Sequence, residues 1–179
     1  LNNNFVSQKT QYLKMKKFYL TGMMFLVSIL MMAGTIEQSY VFKNQKINNL
    51  KEKEITKIRR NNIGFIFQGI NLVSNLTLKE NIVVPGYLSS KPKEQINERA
   101  NFLLNKIEIL DQMDKLPSQV SGGQKQRAAI ARAMINEPDI LFADEPTGAL
   151  NSSSSEAVLE LIKTFNIDGQ TIVMVTHDI

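Results

Sequence analysis

Cysteine is absent from the 179 residues and histidine occurs once, at position 177. A disulfide framework, a thiolate zinc site, iron–sulfur ligation and a cysteine nucleophile are therefore excluded, and so is any multi-histidine metal site. Glycine (9 residues) and proline (5) are too scarce for a collagen-like or low-complexity chain, while 43% hydrophobic and 21% charged residues are a globular composition. A chain of this length builds one compact domain with a core, not two large ones.

Acidic side chains are missing from residues 1–36, and residues 18–36 carry no charge of either sign. Lys9, Lys14, Lys16 and Lys17 make a short basic arm, whereas the 17 basic and 17 acidic residues from Glu37 onward cancel. The net charge of +4 is that arm alone. A pI near 9.2 thus marks no basic face for nucleic acid, which is not expected as a partner.

What is present changes texture near residue 40. Phe18 to Ile36 is a mostly apolar run of 19 residues flanked by lysines and by Glu37. As a helix it just crosses a hydrocarbon layer about 30 Å thick. By itself it reads as a membrane span or signal-anchor with the lysines inside, or as a helix buried in a large core.

Beyond Tyr40 the pattern is that of an alternating α/β chain. Residues 62–68 (NIGFIFQ) read as a buried strand whose carboxyl end meets a polar residue. Thr77 and Glu80 have capping-box spacing ahead of a helix. After Pro92, the apolar residues Ile96, Ala100, Leu103, Leu104 and Ile107 recur at helical spacing. Residues 139–143 (DILFA) and 171–176 (TIVMVT) predict central parallel strands covered by helices on both sides, joined by an amphipathic crossover helix over 155–165.

Three stretches carry chemistry. In VSGGQKQR (residues 120–127), Ser121, Gly122, Gly123 and Gln124 stand at the start of a helix. Free N–H groups and the positive end of the helix dipole there suit a phosphate, and glycines admit it close to the backbone. An ordinary serine N-cap with a glycine turn explains the same octet if it stands alone. In ILFADEP (140–146) a strand ends in Asp144 and Glu145, which point different ways, so that one can hold magnesium while the other faces an attacking water; a solvated acidic turn is the plain alternative. Thr176, His177 and Asp178 close the next strand, at the edge where open α/β sheets place ligands.

In this order, IGFIFQ, VSGGQKQR, ILFADEPTGALN and VTHD resemble the Q-loop, signature, Walker B with D-loop, and switch histidine of ATP-binding cassette (ABC) transporter ATPases. The stretch from Leu50 to Ile82 is similar to the branch that powers lipoprotein release and macrolide or antimicrobial-peptide export. The resemblance covers about residues 40–179 and implies an α/β, P-loop NTPase-like fold: a parallel-sheet core over 40–69 and 118–179, with a small helical subdomain over 70–117. It implies ATP and Mg2+ as cofactors. Gln68 would sit near magnesium and the water, and would couple the site to a membrane subunit. Ser121, Gly122, Gly123 and Gln124 would touch the γ-phosphate of ATP held by an opposite subunit. Asp144 would bind magnesium, Glu145 would act as general base, and His177 would contact the γ-phosphate. The implied partners are a transmembrane permease subunit and a second ATP-binding subunit in a head-to-tail dimer, at the cytoplasmic face of the membrane.

The sequence departs from the family in one large respect. No Gly-x-x-x-x-Gly-Lys-[Ser/Thr] occurs: before Gly64 the only glycines are Gly22 and Gly34, and neither is followed by lysine. Residues 4–7 (NFVS) resemble the strand before that loop, and Gly34 to Val41 the region after its helix. Residues 1–39 are thus an aberrant segment in place of the P-loop region. Residues 8–33 read as a stretch translated in the wrong frame in preference to a membrane span, which would remove the strand-to-helix turn at the centre of the fold. Asn151 replaces the usual D-loop aspartate. The chain starts at Leu1 and stops at Ile179, and is expected to be truncated at both ends. Two other readings follow: a degenerate subunit that lends only its signature motif to a partner's ATP site, and a membrane-anchored interaction protein.

Overall fold

The computed structural model describes residues 41–43 and 45–176. The apolar run 18–36, the aberrant segment 1–39 and His177 lie outside the described residues.

Strands β1 (Val41–Phe42) and β2 (Gln45–Lys46) form a short antiparallel pair. Helix α1 (Glu52–Asn62) follows and buries no residue. Local bonds support its start and face, where Glu54 accepts the Lys51 backbone N–H at 2.9 Å, Glu52 pairs with Arg59, and acids in the first turn and arginines in the last oppose the helix dipole; its end is tied down by Arg60 donating to the Leu88 carbonyl at 2.9 Å. Strand β3 (Ile63–Ile66) starts directly from α1, so Asn62, expected to open the strand, belongs to the helix.

Helices α2 (Leu78–Tyr87) and α3 (Lys93–Lys106), and two 3-10 turns (Leu110–Gln112, Pro117–Gln119), lead to α4 (Gly122–Met134). Thr77 and Glu80 form the expected capping box on α2. The expected face of α3 is completely covered, with Ile96, Ala100, Leu103, Leu104 and Ile107 no more than 1% exposed, in one core with Leu78, Ile82 and Ile130. Strand β4 (Ile140–Asp144), helix α5 (Ser152–Ile167) and strand β5 (Thr171–Val175) complete the described chain.

The three longer strands make one parallel sheet in the order β3-β4-β5, with Ile66 opposite Ala143 and Asp144 opposite Val175. Ile66, Leu141 and Ala143 are buried on one side. On the other, Phe65 stacks on Phe142 with ring centroids 5.2 Å apart and on Phe67 at 5.7 Å. Gly64 lets α4 rest on β3: a Cβ there would lie 2.6 Å from the Ala133 carbonyl oxygen. Among the described residues β5 is an outer strand of this sheet, with Val173 (44%) and Val175 (54%) exposed.

Candidate functional site

Parallel pairing sets the site. Because the three strands run the same way in register, their carboxyl ends share one edge of the sheet. Gln68 follows β3 by two residues, Asp144 ends β4 with Glu145 next, and Thr176 follows β5. His177 is the next residue along, outside the described part.

Glu145 is fixed by its backbone. Its N–H donates to the Val175 carbonyl at 2.9 Å, and its φ of 46° is left-handed, a conformation a non-glycine residue holds only where its surroundings enforce it. The half-buried Glu145 thereby turns away from the line of β4, while Asp144 remains in the strand. The following turn closes through Gly148 N–H to Glu145 O (3.0 Å) and Leu150 N–H to Thr147 O (3.0 Å), over a buried Thr147.

That turn joins the other two motifs. A Cβ on Gly148 would meet Gln68 Nε2 at 2.9 Å, so Gln68 lies against the residues that follow the acidic pair. Two residues on, Leu150 lies 3.4 Å from where a Gly122 Cβ would be, and Ser154 Oγ 3.1 Å from that of Gly123. Residues 145–154 therefore run from Gln68 to the start of α4. Sequence reasoning misses Gly148, Leu150 and Ser154; the only signal for them is their place directly after the acidic pair.

The start of α4 is both a cap and an open end. Ser121 Oγ accepts the Gln124 N–H at 3.2 Å, and Gln124 Oε1 accepts the Ser121 N–H at 2.9 Å. The plain N-cap reading is thus correct locally, and it leaves the first-turn amides of Gly122 and Gly123 without intrahelical acceptors. A cavity of about 280 Å³ opens here, bordered by Ser121, Gln124, Arg127, Glu108 and Ser153. Arg127 donates to Glu108 and to the Ile107 carbonyl, both at 3.1 Å, so its charge at the cavity wall is paired. Asn151 caps α5 by accepting the Ser154 N–H at 3.0 Å, a bond aspartate makes equally well, so its departure from the family pattern costs the fold nothing.

Residues 68–77 are held at two further places. Asn81, 1% exposed, accepts the Val73 N–H at 2.7 Å and donates to the carbonyls of Val73, Leu76 and Thr77 at 2.9–3.0 Å. Arg132 of α4 donates to the carbonyls of Asn71 (2.6 Å) and Ile70 (3.1 Å), and burial pulls its pKa down. A second cavity, of about 370 Å³, is bordered by Arg59, Phe67, Asn71, Leu88, Arg132 and Asn136.

A magnesium ion fits the donor set. Asp144, Glu145 and Gln68 offer hard oxygen atoms, and such an ion takes one or two carboxylates and completes its shell with phosphate oxygens and water. No group of three or more acidic, histidine or cysteine side chains that could hold a metal alone occurs among the described residues.

Comparison with known proteins places this arrangement. The profile of the ABC transporter family matches residues 23–148. The macrolide export ATP-binding/permease protein MacB of Campylobacter jejuni is 43% identical over 155 residues, 84% of this chain and 24% of MacB. The ABC transporter ATP-binding protein YknY of Bacillus subtilis, itself uncharacterized, is 43% identical over 140 residues, 78% of this chain and 61% of YknY. The chain thus spans less than two thirds of either relative. Among solved structures, a dimeric post-hydrolysis state of the ATP-binding cassette MJ0796 bound to ADP and Pi superposes with a TM-score of 0.69 at 40% identity, covering 87% of this chain and 69% of that one.

Proposed function

Since the chain belongs to the ABC transporter family, we propose that it is the ATP-binding part of a transporter that exports a substrate or releases lipoprotein, with ATP hydrolysis driving a membrane partner. The observation that carries this reading is the shared edge: Gln68 packed against Gly148, directly after Asp144 and Glu145, with residues 145–154 continuing to Gly122 and Gly123.

When bound, Mg2+ neutralises charge on the phosphates as the terminal phosphoryl group is transferred to water. Asp144, in line with β4, holds the ion. Glu145 orients the attacking water and accepts its proton; the left-handed backbone keeps its carboxylate apart from that of Asp144. Gln68 contributes its amide oxygen beside them. His177, one residue past Thr176, donates to the terminal phosphate. Ser121, Gly122, Gly123 and Gln124 serve a nucleotide held by a second subunit, for which the amides at the start of α4 and the dipole behind them are suited. The permease partner docks on the helical subdomain over 70–117, where Tyr87 (44%) and Leu88 (63%) are exposed beside the larger cavity. The chain then works at the cytoplasmic face of the membrane as a peripheral subunit. No helix among the described residues is long and apolar enough to cross a bilayer.

The test is nucleotide turnover by the purified chain, alone and mixed with a P-loop-bearing cassette such as YknY. Hydrolysis by the chain alone that vanishes in Glu145→Gln supports the proposal. Turnover only in the mixture, lost in Ser121→Arg but untouched by Glu145→Gln, overturns hydrolysis by this chain. It assigns the signature-lending role instead.

A further inference from the structure

We infer that Arg132 is a positioning residue that ties the loop after Gln68 to the signature-bearing helix α4, so that a displacement of that loop reaches Gly122 and Gly123. The inference deepens the reading of the site given above and rests on it for its functional meaning. Its structural content stands on the bonds themselves.

The tie is bidentate. Nη1 and Nη2 of one guanidinium donate to two successive carbonyls, Asn71 at 2.6 Å and Ile70 at 3.1 Å. In an extended chain successive carbonyls point to opposite sides; the left-handed φ of 49° at Asn71 breaks that alternation and lets one fork take both. Lysine, a point donor on a flexible stem, cannot span two acceptors in this way. The guanidinium is partly withdrawn from water, which lowers its pKa and leaves the bonds weakly screened.

Its position gives the tie a mechanical role. Arg132 lies ten residues after Gly122, about 15 Å along a continuous helix. Gln68 lies two residues before Ile70, and a Cβ added at Gly69 between them would make only ordinary contact with the Asn71 side chain, at 3.4 Å. On the far side, Asn81 fastens residues 73–77 to α2. The loop is thus bracketed by two helices, and the Arg132 end is bonded directly to the one that carries the signature. A packed helix moves as a body, so motion at Ile70 and Asn71 is delivered to the start of α4 and not absorbed locally.

Amide chemical shifts of Gly122 and Gly123 in the full chain test this without nucleotide. Asn71→Val, whose β-branched side chain is strained at the left-handed φ of 49°, perturbs the loop at the Arg132 end of α4. With Arg132 intact, this substitution moves both signals; in the Arg132→Lys background the change falls by at least about threefold, the scale of a modest coupling between sites. Arg132→Gln serves in place of lysine if that variant does not fold. Undiminished propagation in the substituted background overturns the inference, as does the absence of any change with Arg132 present. Because no turnover is read, failure of the ATPase assay and failure of this coupling are separate outcomes.

Discussion

Alanine at Gly64 probes the contact on which the site's geometry rests, the seating of α4 on β3. A Cβ at that position would stand 2.6 Å from the Ala133 carbonyl oxygen, 2.8 Å from Leu141 Cδ1 and 3.1 Å from Pro138 Cγ. The leucine methyl can rotate aside. The carbonyl belongs to the backbone near the end of α4, so it retreats only if the helix lifts. Overpacking of this kind costs about 1–3 kcal/mol. Replacing a strand glycine returns about 0.5–1 kcal/mol by restricting the unfolded chain. The net expectation is a loss of about 1 kcal/mol. With a urea dependence of about 2 kcal/mol per molar, the unfolding midpoint falls by about 0.5 M. Gly69→Ala is the matched control: its nearest neighbour is an Asn71 side-chain atom at 3.4 Å, and its midpoint stays close to wild type. A Gly64→Ala midpoint at or above the wild-type value refutes the seating of α4 described above.

Two other outcomes follow from buried and paired groups. Asn81→Ala leaves the Val73 N–H and the Leu76 carbonyl without their partner and takes one of two donors from the Val73 and Thr77 carbonyls, at a cost of about 3 kcal/mol; limited proteolysis then cuts first within 70–77, and an unchanged cleavage pattern contradicts the assigned role. Acid weakens the fold through Asp139 and Glu137. Burial alone raises the Asp139 carboxyl, but bonds from Lys43 and Asn62 outweigh it and hold the pKa below its ordinary 3.8; the Lys91 bond does the same for Glu137 against 4.5. Both folded values are depressed, so their stabilisation is complete above the ordinary values and is lost as pH falls through the folded ones. Stability measured by urea unfolding is level from pH 7 to 5 and declines below about pH 4; a level profile to pH 3 rejects this account.

The elements legible in the sequence are those with a periodic apolar face or a side-chain cap. The five covered residues of α3 and the Thr77–Glu80 box repeat a spacing that only a helix explains, and β4 and β5 are continuous aliphatic runs. Helix α1 has only Ile55 and Ile58 for an apolar face and buries neither, too short a repeat to mark a helix in the sequence. The order β3-β4-β5 stays hidden because an aliphatic run reports a strand, not which neighbours it has. Of the site, the acidic pair and Ser121 to Gln124 stand out by chemistry. Asn81 and Arg132 do not: each binds carbonyls outside every motif, and a polar residue on a helix reads as solvent-facing until its acceptors are known. The contact of Gly148 with Gln68 depends on two loops meeting, which no local pattern encodes.

The pairing of β3 with β4 carries a consequence for how the chain is made. Asn62 and Asp139, which meet at the start of these strands, are 77 residues apart, and a ribosome adding 5–20 residues per second needs about 4–15 s to cover that interval. Helices close within microseconds, so α2, α3 and then α4 gather while the apolar stretch of β3 still waits for a neighbour. Since α4 emerges before β4 and lies against Gly64, the nascent strand gains its own shield on one side before its partner strand arrives, and only its other side, with Phe65, is left for chaperones to guard.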